Sequence, residues 1–269
     1  MGKTCSAWAT DNRERHPSPK TEPAEPRPCL ILIPGLLCDQ DIWADQEAAL
    51  RDRYDVMVIG FLRFSTIGAM AEEVLRVAPP VFSLAGHSMG GRVALEIVRR
   101  VPRRVRGLAL IDTGYHAARP GEEAGRYVLA DLSERDGMAA LARAWLPPML
   151  SPRRLDDTPL FGRLTRMIER ADSALFRSQI DALLNRPNAE PLLERIGCPT
   201  CVIVGNQDSW SPVEQSRAMA ALIPGATLEI VEDSGHMSLV EQPEAINSVL
   251  QGWMSLQMGD FERDRELSR

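Results

Sequence analysis

The sequence predicts an α/β protein: a doubly wound, mostly parallel sheet interrupted by a helical insertion. Three observations predict it. Short apolar runs alternate with longer stretches of helical periodicity from Cys29 to Leu256. The runs are continuously apolar rather than alternating, as in strands covered on both faces. One long interval, 115–190, breaks the alternation.

The first strand is Cys29–Ile33 (CLILI), closed by Pro34-Gly35. Spaced apolar residues then predict a helix over Ile42–Leu50, followed by a strand at Tyr54–Ile59 and a helix over Ile67–Val77. The strand Val81–Ala85 leads into the helix Met89–Val101, and Gly107–Ile111 is the fourth strand. Beyond the interval lie a strand at Thr200–Val204, a helix over Pro212–Leu222, a strand at Thr227–Val231 and a helix over Pro243–Leu256. Ser211-Pro212-Val213-Glu214 reads as a capping box with Pro at the first helical position. Strands that alternate with helices in this way build a doubly wound sheet.

The interval 115–190 is too long for a plain connection between strands. Its apolar residues fall at helical spacing, as in Phe161, Leu164, Ile168 and in Phe176, Ile180, Leu184, with Pro147-Pro148, Pro152 and Pro159 between. It reads as a helical cap over the carboxyl edge of the sheet; ordinary sheet-covering helices are the alternative. Residues 11–28 are charged and proline-rich, so 1–28 is expected to be a disordered tail. The division is then 1–28 tail, 29–114 and 191–257 core, 115–190 cap, and 258–269 a C-terminal tail.

Composition narrows the function. The chain has 269 residues, 44% of them apolar, and a net charge of −6, which argues against nucleic acid or an anionic membrane as partner. No apolar stretch approaches the ~18 residues of a membrane span, and no signal peptide is evident, so a cytoplasmic location is expected. The five cysteines are Cys5, Cys29, Cys38, Cys198 and Cys201. Their odd number and irregular spacing are not a disulfide framework. Cys198-Pro-Thr-Cys201 has CxxC spacing, but Cys201 lies in an apolar strand, where cysteine packs as a small hydrophobe. Nothing completes a zinc site. Arg99, Arg100, Arg103, Arg104 and Arg106 end the helix Met89–Val101 and fill the next loop. Positive charge there complements the helix dipole, which favours a solvated face over an anion site.

Chemistry enters with Gly86-His87-Ser88-Met89-Gly90, which follows a strand and opens a helix. A sharp strand-to-helix turn needs residues without Cβ at its flanks and presents Ser88 at the strand end. The extra Gly91 implies close packing just beyond it. A serine hydroxyl needs a base. His236, in Asp233-Ser234-Gly235-His236 after the last strand, is that base; Asp233 reads as a loop residue. His16 lies in the tail, His87 lines the site or packs behind it, and His116 either touches substrate from the hinge of the cap or is a solvated loop residue. Asp208, after the strand Thr200–Val204, is the orienting carboxylate, with Asp112 at the end of a neighbouring strand as its competitor. The amides of Met89 and Leu36 are the expected oxyanion donors. Leu37, Trp145 and Trp210 are candidate walls of the substrate pocket, with structural packing the alternative for both tryptophans.

The segments IPGLLCDQDIW, GHSMGG, VGNQDSWSP and EDSGHMSLVEQPE resemble the α/β-hydrolase family, in its branch of small cap-bearing carboxylesterases, enol-lactone hydrolases and carbon–carbon bond hydrolases. The resemblance spans Cys29 to about Leu256. It implies the α/β-hydrolase fold, a Ser88–Asp208–His236 triad, an oxyanion hole at Leu36 and Met89, and no cofactor or metal. Two departures stand out. Pro34-Gly35 replaces the family's usual His-Gly, and residues 1–28 look unable to supply the usual antiparallel hairpin. A sheet shortened at that edge is therefore expected, or an edge completed by something else such as the second subunit of a homodimer. The expected activity is hydrolysis of a small carboxylic ester through an acyl-enzyme. Enol-lactone, thioester or C–C bond hydrolysis, and cofactor-free haloperoxidase or perhydrolase chemistry, would use the same groups. A slow-turnover ligand sensor is the alternative of another class.

Overall fold

Among the described residues six strands form one sheet: β1 (Cys29–Ile33), β2 (Asp55–Val58), β3 (Phe82–His87), β4 (Val105–Ile111), β5 (Thr200–Gly205) and β6 (Thr227–Val231). All neighbours are parallel, in the order β2-β1-β3-β4-β5-β6. The computed structural model describes residues 27–60 and 64–257. The two expected tails therefore lie outside the described residues, apart from Arg27 and Pro28. Those two are tied to the sheet: the Arg27 guanidinium reaches Asp55 (3.0 Å), and the Pro28 carbonyl accepts from the Asp55 amide (3.0 Å). Among the described residues no antiparallel strand precedes β1.

The continuous apolar runs are buried as expected. Every residue of β3 and β5 is buried, while β2 and β6 at the edges are partly open. Leu30, Ile31, Leu32, Leu84, Leu108, Leu110, Val202 and Ile203 are fully buried, and each such side chain contributes about 1.5–3 kcal/mol by leaving water. The helices of the core are α1 (Ala44–Leu50), α2 (Ile67–Val77), α3 (Met89–Arg100), α9 (Val213–Leu222), α10 (Ser238–Glu241) and α11 (Pro243–Ser255). α2 packs on α3, and α1 on α11, as flanking layers of the sheet.

The chain turns from β1 to β2 on one side and to β3 on the other. This reversal opens a crevice beyond the carboxyl ends of β1 and β3, where ligands bind in open α/β sheets. Ile33, at the end of β1, is paired with Gly86 in β3, so the loop after β1 and the turn after β3 meet there.

Between β4 and β5 lie α4 (Glu122–Asp136), α5 (Met138–Trp145), α6 (Thr158–Glu169), α7 (Ser173–Leu184) and α8 (Glu190–Leu193). All residues of this interval are described and none is in a strand. α4 packs on α5 and α7, and α5 on α6. The Gln179 side chain of α7 accepts the Leu37 amide of the β1 loop (2.9 Å), and Arg163 and Arg170 reach Asp45 and Asp39 (3.0 and 2.7 Å).

Two local readings change. The capping box at Ser211 does not form: α9 begins at Val213, and no side chain caps it. The Ser211 amide is instead held by the Asp208 carboxylate (2.9 Å), which draws the residue into the site loop. The arginine-rich end of α3 is ion-paired rather than simply solvated. Arg99 and Arg100 both bind Glu96 (2.6 and 2.7 Å), and Arg104 donates to the carbonyls of Ala78 and Pro79 (3.1 and 2.8 Å). Cys201 is buried in β5, and burial raises its thiol to about 11, where it is not a nucleophile at neutral pH.

Candidate active site

Ser88 sits between β3 and α3 with φ 52° and ψ −114°, outside the regions favoured by a side chain. Such a residue stores about 1–3 kcal/mol of strain and persists only where its surroundings over-determine it. Here the Ser88 amide donates to the Ile111 carbonyl (2.9 Å), and Thr113 Oγ1 donates to the Ser88 carbonyl (2.6 Å). A Cβ on Gly86 would run into the backbone of Gly90, and one on Gly90 into that of Ile33 and Pro34. One on Gly91 would lie 2.6 Å from Thr113. The glycines are therefore required by close approach of three chain segments.

Ser88 Oγ lies 2.9 Å from His236 Nε2, and His236 Nδ1 lies 2.8 Å from Asp208 Oδ2. The other carboxylate oxygen of Asp208 accepts the amides of Trp210 (2.7 Å) and Ser211 (2.9 Å). Burial alone would raise Asp208, but His236 and these amides outweigh it and hold the carboxyl below its usual range. Burial likewise pulls His236 down, and the charge of Asp208 more than offsets it, so the imidazole lies above its ordinary value. The His236 amide donates to the Met149 carbonyl (2.7 Å), which fastens the loop to the segment after α5.

Asp112, the rival acid, is turned elsewhere. It accepts from the Gly205 amide (2.9 Å) and from the Ser238 hydroxyl (2.5 Å). Burial, and then the charge of Asp208, push its carboxyl up to about 8. It braces β5 and α10 rather than His236. His87 packs behind His236, with ring centroids 5.5 Å apart, and its Nε2 donates to the His236 carbonyl (2.8 Å). That acceptor sets Nε2 as the protonated nitrogen. Burial, reinforced by the nearby His236, lowers His87 to about 3, so it stays neutral.

A narrow cavity of about 70 Å³ opens above Ser88, with Leu36, Met89, His236 and Trp210 in its wall. It shares Leu36, Arg92, Arg126, Trp145 and Trp210 as lining residues with a chamber of about 650 Å³ under α4 and α7. Met89 opens α3, where a helix amide has no acceptor within its own helix. Leu36 and Met89 thus both border the space in front of Ser88. Trp145 is buried against Phe176 (centroids 6.4 Å apart), whereas Trp210 is 39% exposed at the mouth. His116 lines the outer chamber and stacks on Tyr115. Leu37 is not brought to this cavity: it faces a separate one beside Asp39 and Met167. Its positive φ (57°) and its bond to Gln179 turn it away from Ser88.

Three residues escaped the sequence reading. Arg92 and Arg126 line both cavities, and Gln179 anchors the β1 loop. A signal existed for Arg92: four residues past Ser88, it lies one turn along the same face of α3. Arg126 and Gln179 meet the site only through tertiary packing.

Residues 30–249 match the family model described as alpha/beta hydrolase family, and the chain belongs to that family. It is 27% identical over 242 residues to 3-oxoadipate enol-lactonase 2 of Acinetobacter baylyi, covering 85% of this chain and 89% of that one. It is 28% identical over 251 residues to a putative carbamate hydrolase of a Caulobacter strain, covering 87% and 92%. An esterase from Thermogutta terrifontis, solved with malate bound, matches the structure with a TM-score of 0.78 at 27% identity, over 86% of this chain and 91% of that one. No helix among the described residues is long and apolar enough to cross a membrane.

Proposed function

We propose that the protein is a serine hydrolase that cleaves a small carboxylic ester through an acyl-enzyme. The observation that carries the reading is the pair of contacts Ser88 Oγ–His236 Nε2 (2.9 Å) and His236 Nδ1–Asp208 Oδ2 (2.8 Å). His236 takes the Ser88 proton as the oxygen attacks the acyl carbon, and Asp208 stabilises the imidazolium that forms. The amides of Leu36 and Met89 receive the developing oxyanion. His236 then returns its proton to the leaving oxygen. Water, deprotonated by the same ring, releases the acid and restores Ser88. In this reading α4 to α8 are a cap that walls the acyl and alcohol pockets. Similarity to the enol-lactonase favours a second substrate form, an enol-lactone, whose ring ester would open by the same steps.

Ser88→Ala tests the reading. It should lower p-nitrophenyl ester hydrolysis by about 10⁴-fold or more and abolish labelling by a fluorophosphonate. Labelling retained at another serine would overturn it.

A further inference from the structure

We propose that Arg92 and Arg126 form a carboxylate subsite beside Ser88, and that the substrate is an ester or lactone carrying a free carboxylate. This rests on the reading of Ser88 as the nucleophile and adds the substrate class. Three guanidinium groups, those of Arg92, Arg126 and Arg186, gather around one carboxylate, Glu122, where α3, α4 and the end of α7 meet. Arg186 is fully engaged. It donates to both oxygens of Glu122 (2.7 Å each) and to the carbonyls of His116 (3.0 Å), Ala117 (3.1 Å) and Leu183 (2.7 Å).

The other two are not. Arg92 donates only Nη1, to the His116 carbonyl (2.8 Å), and Arg126 donates only Nε, to Glu122 Oε1 (2.8 Å). Among the described residues no acceptor meets Arg92 Nε and Nη2 or the two terminal nitrogens of Arg126. Both side chains line the cavity in front of Ser88 and the chamber behind it. Both cations are half-buried, and their open donor edges are the polar groups a bound anion would complete. The crowding of charge shows in the groups themselves. Burial, and then repulsion from Arg186 and Arg126, lower Arg92 to about 9. Burial opposes ionisation of Glu122, yet the hydrogen bonds from Arg186, the Arg119 amide and Arg126 still hold it near 2. Glu122 therefore stays charged and paired, and the excess positive charge faces the cavity.

A carboxylate matches this edge, because the guanidinium fork binds its two oxygens in parallel. Arg92 lies four positions past Ser88, a rise of ~6 Å along α3. The carboxylate would therefore lie a few bonds from the reacting carbonyl, with Trp145 and Trp210 against the apolar stretch between.

The test compares matched pairs that differ in charge. Mono-4-nitrophenyl adipate is set against its methyl ester, and 4-acetoxybutanoate against 4-acetoxybutanamide, so the anion is tried on the acyl side and on the alcohol side. The wild type should favour the anionic member of one pair by about tenfold to hundredfold in kcat/KM, mainly through KM. Arg92→Gln and Arg126→Gln should each collapse that ratio toward one. Should Arg92→Gln fail to fold, Arg126→Gln decides, since Arg126 lies on α4 at the edge of the chamber. A wild-type ratio near one in both pairs, a ratio unchanged in the variants, or no turnover of either anionic ester overturns the proposal. Turnover that survives Ser88→Ala would overturn the underlying hydrolase reading instead.

Discussion

At the carboxyl edge of the sheet, four described residues other than glycine take positive φ: Leu37, Ser88, Asp112 and Asp233. In the helices between β4 and β5, positive φ occurs only at Gly121 and Gly137, where a Cβ would meet nothing within 4 Å. The edge carries strain on side-chain-bearing residues and is held by backbone contact. The helices between β4 and β5 are relaxed, and charge pairs such as Arg177 with Asp131 and Glu134 join them. The difference assigns the two regions different work. A strained, close-packed edge can hold Ser88, His236 and Asp208 within hydrogen-bonding distance. The helices between β4 and β5 supply wall residues of the cavities and reach the edge at single points, as Gln179 does at Leu37.

The largest effect that sharpens this comparison lies within the edge itself, between its two buried aspartates. Asp208→Asn should cost about 10²–10⁴-fold in kcat, because the amide cannot stabilise an imidazolium and favours the wrong tautomer. Asp112→Asn should stay within about tenfold in rate and lower thermal stability instead, since Asp112 binds Gly205 and Ser238 rather than His236. A pH profile gives the same answer independently. In the proposed mechanism the base must be neutral, so kcat/KM should rise with pH through the His236 value, which Asp208 raises above that of a free imidazole. In Asp208→Asn that limb should move to lower pH, because the strongest influence opposing burial is then removed, leaving only Asp112 and Glu241 against it. A greater rate loss for Asp112→Asn would reassign the acid.

A methyl group added in each region should separate them next. Gly90→Ala places Cβ against the backbone of Ile33 and Pro34, which cannot yield without moving β1. A cost of about 3 kcal/mol is expected, read by chemical denaturation. Gly121→Ala meets open space and pays only for its left-handed backbone, about 1 kcal/mol. Equal costs would mean that the edge is not held by contact.

These contrasts explain what the sequence could show. β1, β3, β4 and β5 are legible because strands covered on both faces need unbroken apolar runs. Ser88 is legible because its strain demands glycines at fixed spacing. The end of β2 and the start of α9 are less so: the Asp208 carboxylate, not local propensity, decides where Ser211 goes. Arg126 looks on paper like any helix-surface arginine, and Arg92 is marked only by its spacing of four from Ser88. Only the fold shows that α4 and α7 close over them and leave their donor edges facing a cavity.

The smallest effect concerns the bond that joins the two regions. The Leu37 amide is buried and donates to Gln179 Oε1 across 142 positions of sequence (2.9 Å). This bond, with Cys38 N–Gly35 O (3.2 Å), shapes the loop that presents Leu36 beside Ser88. Gln179→Leu keeps the bulk but leaves that amide without its acceptor, a penalty of about 1–3 kcal/mol. Part of it should appear as lost stability and part as movement of the Leu36 amide away from the oxyanion. Because an oxyanion exists only in the transition state, the rate loss, about threefold to tenfold, should fall on kcat with KM little changed. A loss confined to KM would place Gln179 in substrate binding and leave the loop to be held by the edge alone.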